Sequence, residues 1–252
     1  MAFKEYTISL PFGLGLQDLV GAGITGTVRG LVLGYAHHGT VRQYLQSHPE
    51  KPPLSLRLRW IEQMVKAVTV LHSSGVLHGD LSCNNFFLDE NLDIKCGDFA
   101  GSSIDGEEAL TCYETRSAHP KLPEISCESD IFALGSCIYE AIAGTKPFAH
   151  LADREIEEAY LREEFPDLTS LDTCNEVIAK CWGRRYDKVS EIAEDVRQEA
   201  RRALACTNFF RYSPHFAVSR WAIIPIASPA AGGEFIDDFT AVYRTIAASY
   251  ST

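Results

Sequence analysis

The run His78-Gly79-Asp80-Leu81-Ser82-Cys83-Asn84-Asn85, followed thirteen positions later by Asp98-Phe99, constrains this chain more than any other stretch. Between Asn85 and Asp98 lie two short apolar runs, residues 85–88 and 92–96, joined by Asp89-Glu90-Asn91. Such a pattern predicts a β-hairpin whose base brings Asn85 and Asp98 together. An Asp that orients a hydroxyl, a carboxamide five residues on and a second carboxylate across a hairpin offer the hard oxygen ligands that Mg²⁺ on a nucleoside triphosphate takes. The spacing therefore points to phosphoryl-transfer chemistry, against the plainer reading of an Asp that caps a turn.

Composition narrows the partners. With 252 residues, 46% of them apolar, the chain can build one larger domain or two small lobes around a proper core. A formal charge of −11 argues against sequence-independent binding of nucleic acid, which needs a positive face to displace counterions. No long basic run suggests a membrane surface, and no apolar run approaches the length that spans a bilayer. The eight cysteines, Cys83, Cys96, Cys112, Cys127, Cys137, Cys174, Cys181 and Cys206, never fall at the two-residue spacing of a zinc knuckle. No signal-peptide pattern precedes them, so reduced thiols in a cytoplasmic protein are expected.

Along the chain, residues 1–30 are rich in glycine and apolar residues, with Tyr6-Thr7-Ile8-Ser9-Leu10 alternating before Pro11, and predict two or three short strands. Apolar residues at Trp60, Ile61, Met64, Val65, Val68 and Leu71 predict a helix that ends at Ser73-Ser74-Gly75. The polar run from Asp98 to Glu124, with Gly101, Gly106 and Pro120, reads as a surface segment. Ser129 is expected to cap a helix through Ala143, stopped by Gly144 and Pro147. Further helices are predicted over about 153–164, 172–182 and 188–204. The tail beyond Cys206 carries an apolar, proline-broken stretch and a possible amphipathic helix with Phe235, Phe239, Val242, Tyr243 and Ile246 aligned.

Taken in order from Leu31 to Leu204, these features resemble a protein kinase, nearest a group of small fungal protein-kinase-like sequences. Residues 31–36, Leu-Val-Leu-Gly-Tyr-Ala, followed by His37-His38-Gly39-Thr40, look like the fifth strand and hinge, leading into a helix at 41–46. Leu122-Pro123-Glu124 stands where the family has Ala-Pro-Glu, and Ser129 to Gly135 resembles the start of its central buried helix. Cys181-Trp182 matches the late part of the pattern. The fold class this implies is α+β, a protein kinase-like fold with a mainly α-helical large lobe and an abbreviated β small lobe. Its boundaries would be 1–36 for the small lobe and hinge, 37–205 for the large lobe and 206–252 for an unassigned tail.

The resemblance also assigns roles. Asp80 becomes the catalytic residue that accepts or orients the substrate hydroxyl proton, and Asn85 and Asp98 become the Mg²⁺ ligands. Leu33, the backbone of Gly34 and Ala36, and Phe87 as the floor beneath adenine would form the nucleotide pocket; the plainer reading leaves Phe86 and Phe87 as strand residues on opposite faces. His78 and Phe99 would pack and fix the two loops, Asp130 would hold the loop backbone as a buried acceptor, and Glu124 would pair with Arg184 or Arg185. ATP and Mg²⁺ are the implied cofactors, and a protein substrate or binding partner the implied partner, with no nucleic acid and no membrane.

Departures from the family cluster at charge. Ser82 and Asn84 occupy the places where a Lys or an Arg would stabilise the transferring phosphoryl group, Gly79 replaces the Arg that reads a phosphorylated activation segment, and Ala100 replaces the glycine of the metal-binding loop. A complete small lobe needs about 60–70 residues before the hinge, roughly twice what precedes Gly34 here. Gly21 to Val28 matches a phosphate-covering glycine loop, although a turn before the hinge strand explains it as well, and Lys4 is the sole lysine ahead of the hinge. The leading expectation is an ATP-dependent protein kinase of impaired activity. A catalytically inactive pseudokinase or protein-binding module is the second, and a small-molecule kinase resembling the aminoglycoside phosphotransferases the third. Thr111, Tyr113, Thr115 and Ser117 offer hydroxyls for phosphorylation, as any polar loop does.

Overall fold

The structure, a computed structural model, describes residues 35–209, with side chains through Ala203. The strands expected in residues 1–30, the glycine loop, Lys4, Leu33, Gly34 and the tail beyond Phe209 lie outside the described residues.

Helix α1 (Val41–Ser47) starts at a capping box. The Thr40 hydroxyl accepts the Gln43 N–H, and Gln43 Oε1 accepts the Thr40 N–H at 3.0 Å. Helix α2 (Leu54–Ser73) carries the expected apolar stripe. Trp60, Ile61, Met64 and Val68 are fully buried, and Trp60 Nε1 donates to the Leu92 carbonyl at 2.8 Å, so the helix is pinned to the hairpin behind it. Strands β1 (Val76–Leu77), β2 (Phe86–Leu88), β3 (Ile94–Cys96) and β4 (Ser103–Ile104) form two antiparallel pairs. In one, Val76 faces Ile104; in the other, Phe86 faces Cys96 and Leu88 faces Ile94. The hairpin turn is tied by Asp89, whose Oδ1 accepts the Asn91 and Asp93 N–H groups.

Helix α3 (Cys127–Ala143) is the axis of the domain and buries side chains on all its faces. Its N-cap is Ser126, three residues before the expected Ser129: Ser126 Oγ accepts the Ser129 N–H, and Ser129 Oγ accepts the Ser126 N–H at 2.7 Å. Two serines at capping-box spacing divide the work, and the outer one marks the start. Gly144 ends the helix at φ +79° as expected. A single 3₁₀ turn (Thr115–Ser117) and helices α4 (Asp153–Leu161), α5 (Asn175–Trp182) and α6 (Val189–Phe209) complete the described part. Gly135 lets α5 cross close to α3, because a Cβ there would stand 2.6 Å from Cys181 Cβ. Trp182 Nε1 then reaches Ser136 Oγ at 3.1 Å. A helix-interior glycine costs about 1 kcal/mol, which the close α3–α5 contact offsets.

Candidate active site

The two strand pairs converge on one loop. β1 delivers His78, which is fully buried against Phe99 at a ring separation of 5.2 Å. His78 Nε2 donates to the Gly97 carbonyl at 3.1 Å and Nδ1 accepts the Asp80 N–H at 3.3 Å, an assignment that the neutral imidazole with its proton on Nε2 satisfies. Burial pushes the imidazole below its ordinary range, outweighing the Asp130 charge. His78 is thus a strut between the 78–85 loop and the end of β3.

Asp130, in the first turn of α3, is also fully buried. Its Oδ2 accepts the His78 N–H at 2.9 Å and a hydrogen bond from His72 Nε2 at 2.8 Å; its Oδ1 accepts the Gly79 N–H at 3.1 Å and the Tyr113 hydroxyl at 2.7 Å. Burial alone would raise its carboxyl, but the His72 and Tyr113 hydrogen bonds and the His72 charge hold it below the usual range. One carboxylate therefore fixes α2, the loop and the segment carrying Tyr113 to the central helix.

The loop ends at Asn85, buried at the hairpin base, where the Gly97 N–H donates to the Asn85 carbonyl at 3.0 Å. Asn85 Nδ2 donates to the Asp80 carbonyl at 2.6 Å and to Asp80 Oδ2 at 3.0 Å. That leaves Asn85 Oδ1 as its acceptor toward a cation. Asp98 follows Gly97 directly, exposed and at φ +62°, a conformation that a short polar side chain tolerates and that recurs where backbone strain serves a site. Asp80 is half-buried, and its carboxyl is pushed up to about 6, first by burial, then by the charges of Glu114 and Asp98, with the Asn85 hydrogen bond opposing. Asp80, Asn85 and Asp98 thus occupy one end of the hairpin. Among the described residues no three His, Cys, Asp or Glu side chains form a metal cluster by themselves. Such oxygens could hold a hard cation only if water or phosphate oxygens completed its shell.

The replaced positions are also accounted for. Ser82 is buried, with its hydroxyl accepting the Asn84 N–H, and Asn84 Nδ2 donates to Glu114 Oε1 at 3.2 Å. Of the cations near this loop, Arg42 is already held, with Nε and Nη2 gripping Glu140 at 2.7 and 2.8 Å and Nη1 holding Glu114 at 2.6 Å, and Lys146 Nζ lies 3.8 Å from Glu114. Burial raises the Glu114 carboxyl, but the Arg42 hydrogen bond and charge outweigh it and hold it low. Gly79 sits at φ +77°, and a Cβ there would meet Ile125 Cδ1 at 2.6 Å and Thr111 Cγ2 at 3.0 Å. Ala100 needs no special backbone, because the positive φ falls on Gly101 instead.

Phe87 lies at the centre of β2, half-exposed and opposite Lys95, with Phe86 buried on the other face. The strap of residues 36–40 runs along its edge: the His38 N–H donates to the Leu88 carbonyl, the Leu88 N–H to that of Gly39, and Thr40 bridges Phe87. Ala36 is half-exposed, with its carbonyl turned back to the Gly39 N–H. One expectation fails. Glu124 is exposed on the turn before α3, and Arg184 instead reaches Glu163 at 3.5 Å and Glu128 at 4.0 Å. Glu128 lies on the first turn of α3. The residues not foreseen are Arg42, Glu114 and Glu140, and His72 and Tyr113 on Asp130.

A profile of the protein tyrosine and serine/threonine kinase family matches residues 16–196. Among curated proteins, the chain is 35% identical over 98 residues to the inactive serine/threonine-protein kinase PLK5 of Mus musculus, covering 36% of this chain and 16% of that one. It is 30% identical over 131 residues to the serine/threonine-protein kinase PLK4 of Xenopus laevis, covering 47% and 13%. To the serine/threonine-protein kinase Nek3 of Oryza sativa subsp. japonica it is 29% identical over 120 residues, covering 45% and 20%. The matched stretch spans a fifth or less of these relatives' length, and none of the three comes from a fungus. With most of its length matched by the profile, the chain belongs to the protein tyrosine and serine/threonine kinase family.

Proposed function

We propose that residues 37–205 form a kinase large lobe that transfers phosphoryl groups from ATP to protein hydroxyls at a low rate, with residues 1–36 as an abbreviated small lobe and hinge and 206–252 as a tail. The observation that carries this reading is the contact of Asn85 Nδ2 with Asp80 Oδ2 at 3.0 Å, with Asp98 beside them at the hairpin base. Asp80 takes the role of proton acceptor: a carboxyl raised to about 6 is ionised at neutral pH and still basic enough to orient and receive a hydroxyl proton. Asn85 Oδ1 and the Asp98 carboxylate would hold Mg²⁺, whose contribution when bound is to neutralise charge on the phosphates. Ala36 and Phe87, with Leu33 and Gly34, would seat the adenine.

The low rate follows from charge. Asn84 and Ser82 supply no cation to the transferring group, and Arg42 is committed to two carboxylates. Loss of one preorganised charge of this kind costs about 3 kcal/mol, roughly a hundredfold in rate. The second reading, a non-catalytic binding module, draws support from the same feature and from the name of the inactive mouse relative. A cytoplasmic setting suits the seven described cysteines, all of them free thiols. No helix among the described residues is long and apolar enough to cross a membrane. Phosphotransfer from ³²P-labelled ATP to a generic protein substrate, compared between wild type and Asp80→Asn, decides between the two. Loss of the signal in Asp80→Asn is expected; a signal that survives it is a contaminant, and the binding-module reading then stands.

A further inference from the structure

The segment from Leu110 to Glu114 is held at four points, two of them on the 78–85 loop. The Leu110 N–H donates to the Gly101 carbonyl at 2.8 Å, Thr111 packs over Gly79, Tyr113 reaches Asp130, and Glu114 holds Asn84 and Arg42. Only Tyr113 touches the carboxylate that also orders the loop backbone. Its hydroxyl lies 2.7 Å from Asp130 Oδ1, the same oxygen that accepts the Gly79 N–H at 3.1 Å, and 3.0 Å from Ser129 Oγ, a member of the α3 capping box. We propose that Tyr113 is a positioning residue: its hydroxyl, shared between Asp130 and Ser129, latches the 110–114 segment onto the 78–85 loop and fixes the His78 and Gly79 backbone without any phosphate.

Two observations support the latch besides the distances. The place above Gly79, where a side chain would be needed to read a phosphate, is filled by Ile125 and Thr111, so no room is kept for a phosphate-binding cation there. Burial drives the Tyr113 hydroxyl far above its usual range, which keeps it protonated and a donor to Asp130 at neutral pH. A phosphate on that hydroxyl would remove the donor and set two negative charges against the buried carboxylate, so the latched state and modification of Tyr113 exclude each other.

The functional meaning of the latch rests on the kinase reading above, but its test does not. Amide hydrogen exchange is measured by mass spectrometry on phosphatase-treated protein without nucleotide or metal, for wild type and Tyr113→Phe, with the α5 peptide as internal reference. Relative to α5, exchange of residues 107–117 and of residues 78–81 is expected to quicken about ten- to a hundredfold in the variant, the range that one hydrogen bond to a charged group is worth. Unchanged exchange in 107–117 overturns the latch. Quickening in 107–117 with 78–81 unchanged overturns the positioning role, leaving Tyr113 a tether of its own segment. Because the ratio to α5 is read, general destabilisation of the variant does not mask either result, and a failure of the Mg²⁺ and ATP reading leaves both untouched.

Discussion

Replacing Arg42 by methionine should be among the most damaging single changes to this domain, and the reason is electrostatic. The Arg42 and Glu140 side chains are nearly buried, at 6% and 5% exposure, and the pair is bidentate. Methionine fills most of the volume but leaves the buried Glu140 carboxyl without its partner, a change worth about 3–5 kcal/mol of lost stability. Glu114 adds little, because its carboxylate is partly exposed and keeps Asn84 at 3.2 Å and Lys146 at 3.8 Å. For a domain of this size, 1 kcal/mol shifts Tm by about 2–4 °C, so a fall of roughly 6–20 °C is expected. The double change Arg42→Met with Glu140→Gln removes the stranded carboxyl and should recover much of the loss, to within about 1–2 kcal/mol of wild type. Urea unfolding followed through the buried Trp60 and Trp182 gives both numbers. A single variant that loses under about 1 kcal/mol, or a double variant no more stable than the single, would refute the argument that the pair is held by mutual neutralisation.

Three further outcomes follow from the same geometry. Asp80→Asn should stabilise the fold at pH 8: the shift to about 6 implies nearly 3 kcal/mol, cut to about 1 for solvent screening of a half-exposed group, and the gain should vanish near pH 4, where Asp80 is protonated. His78, held neutral by burial, gives stability that is complete above its ordinary value of 6.5 and is lost as pH falls below it, because the unfolded chain takes the proton that the fold refuses. Urea-derived stability compared between wild type and His78→Gln at pH 7.5 and 5.5 isolates this slope from the opposite one of Asp80, and a flatter profile in the variant is expected. Gly79→Ala should destabilise by about 2–4 kcal/mol, from its left-handed backbone and the clash with Ile125, whereas Gly106→Ala, at φ +83° in open space, should lose only about 1–2; equal losses would remove the packing part of the argument.

Much of this domain was legible because its signals are local. The apolar spacing of α2, the hairpin around Asp89 and the stop at Gly144 are set by neighbours in sequence, and the structure has all three. The meeting of Asn85 with Gly97, the residue before Asp98, was legible for the same reason, since a hairpin of known length fixes where its ends meet. The ion pairs were not: Arg42 meets Glu140 from 98 residues away, and Tyr113 and His72 reach Asp130 from different elements. One signal was available. Glu140 sits between Ile138 and Ala141-Ile142 in the mainly apolar run that follows Asp130 in α3, and a carboxylate on such a face needs a buried cation. Glu124 was misplaced because its partner depended on a loop conformation, and a loop offers no periodicity to read.

The central claim is a weak, Mg²⁺-dependent nucleotide site built on Asn85 and Asp98, and a thermal-shift titration tests it most directly. ATP is titrated from micromolar to millimolar with Mg²⁺ and with EDTA, for wild type and Asp98→Ala. Little stabilisation at micromolar ATP, a rise at millimolar ATP only when Mg²⁺ is present, and loss of that rise in Asp98→Ala are the predicted results. Stabilisation at micromolar ATP in EDTA, or a response that Asp98→Ala leaves intact, would contradict the account.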